Sequence, residues 1–172
     1  MLGVQKEKVK IVAHDPRWAK LFDAEARKIR KTLKKNALAV EHVGSTAIKG
    51  LSAKPILDLL VVVPTLTGWE KYKSRLKKIG YTFRIDHRKD RGSILFTKGP
   101  EHKRTHHLKL VTKRSSAFKN SVFFRDYLMS HPKVAREYEK LKKDLVEKFA
   151  DKRELYTQAK TDFVKKILRR IK

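Results

Sequence analysis

Glu41-His-Val-Gly44-Ser45-Thr-Ala-Ile-Lys-Gly50-Leu-Ser-Ala-Lys54-Pro55-Ile-Leu-Asp58-Leu-Leu-Val-Val-Val63 decides how this chain is read. A Gly-Ser turn is followed, after twelve intervening residues, by one carboxylate inside an apolar run. The neighbours of Asp58, Ile56-Leu57 and Leu59-Leu60, are the aliphatic and β-branched types that make a central strand. A bare charge there costs on the order of several kcal/mol unless it is paired or metal-bound. A cation is therefore the expected companion of Asp58.

Side chains two apart on a strand share a face. Ile56, Asp58, Leu60 and Val62 look one way, and Leu57, Leu59, Val61 and Val63 the other. A two-metal phosphoryl-transfer site wants a second carboxylate two residues after the first. Leu60 stands there, so the acidic motif is incomplete.

Working outward, residues 9–12 read as a short strand. Asp15-Pro16 supplies a cap and a proline suited to a helix start, and the helix runs to about residue 35. Strands are expected at 38–43, 55–63, 81–85, 93–98 and 104–112, with a loop at 45–53 and a helix at 68–79. Residues 86–91 form a charged turn. The remainder is helical in three pieces, over 116–129, from Pro132 and from Asp151, where Asp151 and Glu154 make an acidic capping box. Strands mixed with helices, without linker composition or repeats, predict one α+β domain over residues 1–172.

The 172 residues are 40 % hydrophobic with a mean hydropathy of −0.58. No stretch approaches the roughly 18–20 apolar residues that span a bilayer. The N-terminal residues show no signal-peptide core, so a cytoplasmic protein without a membrane partner is expected. The absence of cysteine excludes disulfides, zinc–cysteine sites and thiol catalysis. The 44 Lys and Arg against 18 Asp and Glu leave a formal charge of +26. Such a field attracts nucleic acid, nucleoside phosphates or another polyanion, although a lysine-rich solvated surface has the same composition.

Further motifs extend over nearly the whole chain: His14-Asp-Pro-Arg-Trp18, Ala53-Lys-Pro-Ile-Leu-Asp58, Arg104-Thr-His-His107-Leu, Phe124-Arg-Asp-Tyr-Leu128, His131-Pro132 and Lys160-Thr-Asp-Phe163. With Glu41-His-Val-Gly-Ser-Thr46 they resemble the GrpB family, placed by fold in the nucleotidyltransferase superfamily that includes DNA polymerase beta. The resemblance implies a small mixed β-sheet of the nucleotidyltransferase type, flanked by helices, with a helical C-terminal third. The resemblance implies no established reaction; the loop and its acid are themselves read as binding a nucleoside triphosphate with a divalent cation, Mg²⁺, held at Asp58. Gly44, Ser45 and Thr46 would cradle phosphate through backbone N–H groups and a hydroxyl, with Lys54 adding charge. Gly44 and Lys54 could equally belong to an ordinary turn, with Lys54 solvated or paired to Asp58.

On the histidine strand, His107, Lys109 and Val111 share one face, and His106, Leu108 and Leu110 the other. The superfamily usually carries a third acid on this strand, and the GrpB family a pair of histidines two apart. Lys109 departs from both patterns. His107 is the second catalytic candidate beside Asp58, as metal ligand, general base or phosphate donor, against the plain alternative of a half-buried histidine bonded to a backbone carbonyl. His42 is a further candidate for the active face. In the C-terminal helices Lys142 lies four residues after Tyr138, and Lys160 four after Tyr156. Both lysines could converge on the sheet and join the nucleotide-binding set. Arg125 either pairs with Asp126 or reaches a phosphate. The expected activity is nucleotidyl transfer to an unspecified acceptor. Its rival is a catalytically inert module that binds nucleotide or RNA on the same fold.

Overall fold

The computed structural model describes residues 2–5, 8–85, 92–100 and 102–171; the charged segment 86–91 lies outside them. In chain order the elements are β1 (Val4–Gln5), α1 (Arg17–Leu33), β2 (Ala39–Val43), β3 (Leu57–Val62), α2 (Glu70–Lys77), β4 (Tyr81–Phe83), β5 (Ser93–Lys98), β6 (Lys103–Arg104) and β7 (His106–Val111), then α3 (Ser116–Ser130), α4 (Pro132–Phe149), α5 (Arg153–Ala159) and α6 (Thr161–Leu168). Five strands make one mixed sheet in the order β2-β3-β7-β5-β4, in which only β3 and β7 run parallel.

The alternation read on β3 sorts the two faces. Leu57, Leu59, Val61 and Val63, with Leu108 and Leu110 of β7, pack under Trp18, Ala26, Ile29 and Leu33 of α1 and Tyr72 and Leu76 of α2. On the other face Leu60, Val62 and Val111 receive Phe118 and Val122 of α3. The start of α1 is local chemistry, since Asp15 Oδ1 accepts the N–H of Arg17 at 3.0 Å. Ser115 caps α3 likewise, its hydroxyl accepting the N–H of Phe118 at 3.2 Å.

Three local expectations are corrected. Residues 9–12 form no strand: Val9 donates to Ala150 O, whereas Val12 bridges Ala53. Two partners in different places cannot make a ladder. The N-terminal strand is β1, paired with β6. The last helical piece divides into α5 and α6 around Lys160, and Lys152 stands at the start of α5 without a side-chain cap, so the box at Asp151 does not form. Among the described residues no helix is long and apolar enough to cross a membrane.

Candidate functional site

Parallel pairing of β3 with β7 sets Asp58 beside His107, and the His107 Nδ1–H donates to Asp58 Oδ1 at 3.1 Å. That bond leaves Nε2 as the basic nitrogen of the ring when it is neutral. On the other side of β3, Val43 is the register partner of Asp58, so the chain leaves β2 directly into the Gly-Ser turn. Gly44 has φ +71°, and a Cβ there would stand 2.5 Å from Asp58 Oδ2. Only glycine permits both that conformation and that approach.

Ser45 opens a single 3₁₀ turn, Ser45–Ala47. Its Oγ accepts a hydrogen bond from Lys142 Nζ at 3.1 Å, and the same ammonium donates to Ser52 O. Ser52 in turn donates its hydroxyl to Glu139 at 2.5 Å. Lys142 is only 3 % exposed. Thr46 is spent within the loop, donating to Ile56 O at 3.2 Å and lying 3.0 Å from His42 Nε2.

Above Asp58 and His107 the sheet is roofed by α3 to α6, which leaves a cleft of about 920 Å³. Lys54, Arg104, Lys109, Lys142 and Lys160 line it, against two carboxylates, Asp58 and Glu154. Tyr156 forms part of the wall, with Lys54 Nζ 4.1 Å and Lys160 Nζ 4.5 Å from its ring centre. Lys142 lies 4.8 Å from the ring of Tyr138.

Burial pushes the Lys142 pKa down to about 7, and the like charge of Lys160 acts in the same direction. Partial desolvation by the cleft walls acts to raise the Asp58 pKa, but the hydrogen bond and charge of His107, with His42 and Lys160 behind them, outweigh it and leave the carboxyl below its ordinary value. Burial raises Tyr138 to about 12, opposed by its hydrogen bond with Ser45. A stable carboxylate thus faces an amine poised to change charge near neutrality.

The structure gathers Gly44, Ser45, Thr46, Lys54, Asp58, His107, Lys142 and Lys160 on one cleft. It does not bring Arg125 there. That guanidinium bonds Asp126 at 2.7 Å, Glu41 at 2.9 Å and His42 O at 2.8 Å, tying α3 to β2. His42 is also corrected: its register partner is Leu59, on the opposite face, where it stacks on Phe22 with ring centres 4.6 Å apart. Burial takes its pKa down to about 4, so it is neutral at ordinary pH.

Sequence reasoning assigned no role in the cleft to Arg104 or Glu154. Arg104 is three residues before His107 and beyond β7, where alternation gives no direction. Glu154 enters only because α5 folds over the sheet.

Among the described residues no three metal-ligating side chains gather. Leu60, on the Asp58 face, is 1 % exposed and packed in the core. The donor set therefore does not make a resident two-metal centre. It fits a cation that arrives with most of its oxygen ligands already supplied by phosphate and water, Asp58 giving the protein's share.

Comparison with known proteins follows the same lines. The family profile described as GrpB protein matches residues 8–170. The glutamate-rich protein GrpB of Alkalihalophilus pseudofirmus is 38 % identical over 172 residues, covering 98 % of each chain. The crystal structure of the conserved protein GrpB from Enterococcus faecalis superposes with a TM-score of 0.84 at 34 % identity, over 92 % of this chain and 94 % of that one. The Cid1 poly(U) polymerase with MgGTP bound is similar at a TM-score of 0.55 and 18 % identity, over 80 % of this chain and 44 % of that one. At that identity the likeness is one of fold, the nucleotidyltransferase type.

Proposed function

The chain belongs to the GrpB family, and on that footing we propose that its cleft binds a nucleoside triphosphate together with Mg²⁺. The observation that supports this most is the company Asp58 keeps: a hydrogen-bonded histidine, a Gly-Ser turn and five cationic side chains line one cavity with it, against one further carboxylate, Glu154. The Ser45 hydroxyl, Lys142 and Lys160 would take phosphate oxygens, and Lys54 would add charge at the Tyr156 wall. A bound Mg²⁺ would neutralise part of the phosphate charge, with Asp58 as its protein oxygen.

Transfer, in this reading, joins an acceptor hydroxyl oxygen to the α-phosphorus and breaks the bond to the leaving pyrophosphate. The acceptor's proton passes to His107 Nε2, while Asp58 keeps the ring oriented through Nδ1. RNA or another polyanion is a suitable acceptor for a basic protein. The burial of Leu60 where a second acid would stand favours a second reading, a binder of nucleotide that performs no transfer.

Calorimetric titration with nucleoside triphosphates, with and without Mg²⁺, tests the binding. We expect heat of binding in both conditions and tighter binding with Mg²⁺. Asp58→Asn should lose that Mg²⁺-dependent gain and keep the metal-free affinity. Absence of binding by any of the four common triphosphates would sink the proposal. Label transfer from an α-labelled triphosphate, abolished by His107→Ala, decides between enzyme and inert binder.

A further inference from the structure

The positive charge of this protein is not an even coat. From residue 20 to 35, along α1 and the turn after it, seven Lys and Arg are exposed against one exposed carboxylate, Asp23. From 70 to 78, along α2, five are exposed against Glu70 alone. From 116 to 170, across α3 to α6 and the turn after them, eleven exposed Lys and Arg face six exposed Asp and Glu among the described side chains. The C-terminal layer is further laced by Lys140–Asp144 at 2.8 Å and Lys143–Glu139 at 3.0 Å. In the α1–α2 layer, counting Arg17 at the start of α1, two of thirteen exposed cations have a carboxylate within 4.0 Å among the described residues: Arg17 beside Asp15 at 2.8 Å and Lys28 beside Glu25 at 3.8 Å. A surface made basic only for solubility has no reason to segregate its charge by layer. Mixed signs are the ordinary solution, and a block of one sign repels itself.

Both helices lie side by side on one face of the sheet, their apolar stripes turned inward through Trp18, Ile29, Leu33, Tyr72 and Leu76. Their polar sides therefore form one outward surface. The cleft is on the opposite face. An α-helix of 17 residues is about 25 Å long, enough to lie along several successive phosphates of a double helix. The large exposed apolar side chains of the described molecule are Leu21, Leu38, Ile85, Met129, Leu155 and Ile171, none of them aromatic. Single-strand binders use aromatic platforms on which bases stack. Phosphate contacts alone need only cations.

We propose that the outer face of α1 and α2 docks a nucleic-acid duplex through its phosphates, independently of nucleotide binding in the cleft. Contacts of this kind read neither base edges nor the 2′-hydroxyl, so duplex RNA and duplex DNA should bind comparably and without sequence preference. Because the surface is separate from the cleft, a failure of either assignment leaves the other standing.

The test is fluorescence anisotropy with 20-base-pair RNA and DNA duplexes and a single strand of the same length, over about 50–300 mM salt. With four or five phosphates neutralised, the log–log slope should be about −4. The exposed-site variant Arg27→Gln, Lys31→Gln, Lys73→Gln, Lys77→Gln should flatten the slope by about 0.9 for each phosphate it no longer neutralises, and weaken binding at least about tenfold at low salt. The variant Lys119→Gln, Lys133→Gln, Lys148→Gln, Lys165→Gln removes the same charge from the other layer and should change affinity less than about twofold. Circular dichroism and triphosphate titration on both variants report that fold and cleft are intact. Equal losses in the two variants would reduce the effect to net charge and overturn the assignment. So would tighter binding of the single strand, or binding of anionic phospholipid vesicles with none of either duplex.

Discussion

His106 and His107 are adjacent in sequence, on one strand, and they live in opposite worlds. Both sit near a carboxylate. Beneath α1, His106 shares a closed pocket of polar groups with Glu25, Lys98 and Tyr81, where Glu25 Oε1 accepts from Lys98 Nζ at 2.7 Å. The Glu25 side chain is 5 % exposed, whereas that of Asp58, the partner of His107, is 41 % exposed. Burial drives the His106 pKa down to about 4, and it stays neutral as part of the framework. The difference lies in what covers each face. Helix α1 seals one carboxylate with a lysine supplied from β5. The C-terminal helices leave the other open to a cleft.

The sharpest test of this contrast is to break each face in turn. Lys98→Met strands Glu25 in a nearly dry site and should destabilise the protein by about 3 kcal/mol in urea unfolding, while triphosphate affinity stays unchanged. Asp58→Asn should change stability by less than about 1 kcal/mol, because its site is open to water. If the two stability losses proved equal, the division into framework face and ligand face would fail. Glu25 has a lowered pKa despite the opposing effect of burial, owing to Lys98. Its contribution is present above the ordinary glutamate pKa and lost as pH falls through the folded value. Lys98→Met should remove that acid limb from the stability profile.

On the cleft face, Lys142→Met should separate stability from binding. Triphosphate affinity should fall at least about tenfold, since a buried cation bonded to Ser45 is gone. The ligand-free protein should gain about 1–2 kcal/mol at pH 6, because an ammonium held against desolvation is replaced by an apolar chain of similar shape. A lysine whose folded pKa is about 7 rather than 10.5 binds fewer protons folded than unfolded between those values. Wild-type stability should therefore rise with pH across that window, and the rise should be smaller in Lys142→Met. Thermal melts from pH 6 to 10 measure it.

Gly44→Ala should cost about 1–2 kcal/mol, since alanine is strained at positive φ and its Cβ would press on the Asp58 carboxylate. The accompanying shift of the Asp58–His107 hydrogen bond is readable in the His107 ring resonances. The smallest effect concerns pH. Between pH 8 and 6 triphosphate affinity should rise about five- to tenfold, as Lys142 takes up a proton that the bound phosphate then holds. Lys142→Met should abolish most of that rise.

Much of this was legible in the chain. Strict alternation placed Asp58 with Leu60 and His107 with Lys109 before any coordinates, because the strand period of two leaves no freedom once one face is core. The apolar stripes through Tyr138 and Tyr156 were legible from helical spacing, but whether Lys142 and Lys160 turned into the cleft or stayed in solvent was left open. Arg125 was readable only as a choice. Its neighbour Asp126 was visible, but Glu41, 84 residues away, was not. His42 was a candidate for the active face only through its closeness to the Gly-Ser turn along the chain, which says nothing about which face of β2 it occupies.

By itself, then, the sequence determined the strands of the main sheet and the larger helices, their inward faces and the side chains each face could offer, since these follow from local periodicity and capping. The tertiary structure decided which carboxylate is sealed and which is open. It also buried Lys142 against Ser45 and brought the exposed basic residues of α1 and α2 onto one layer. Those outcomes depend on packing between residues far apart in the chain, and on how much water that packing leaves behind, which no local pattern encodes.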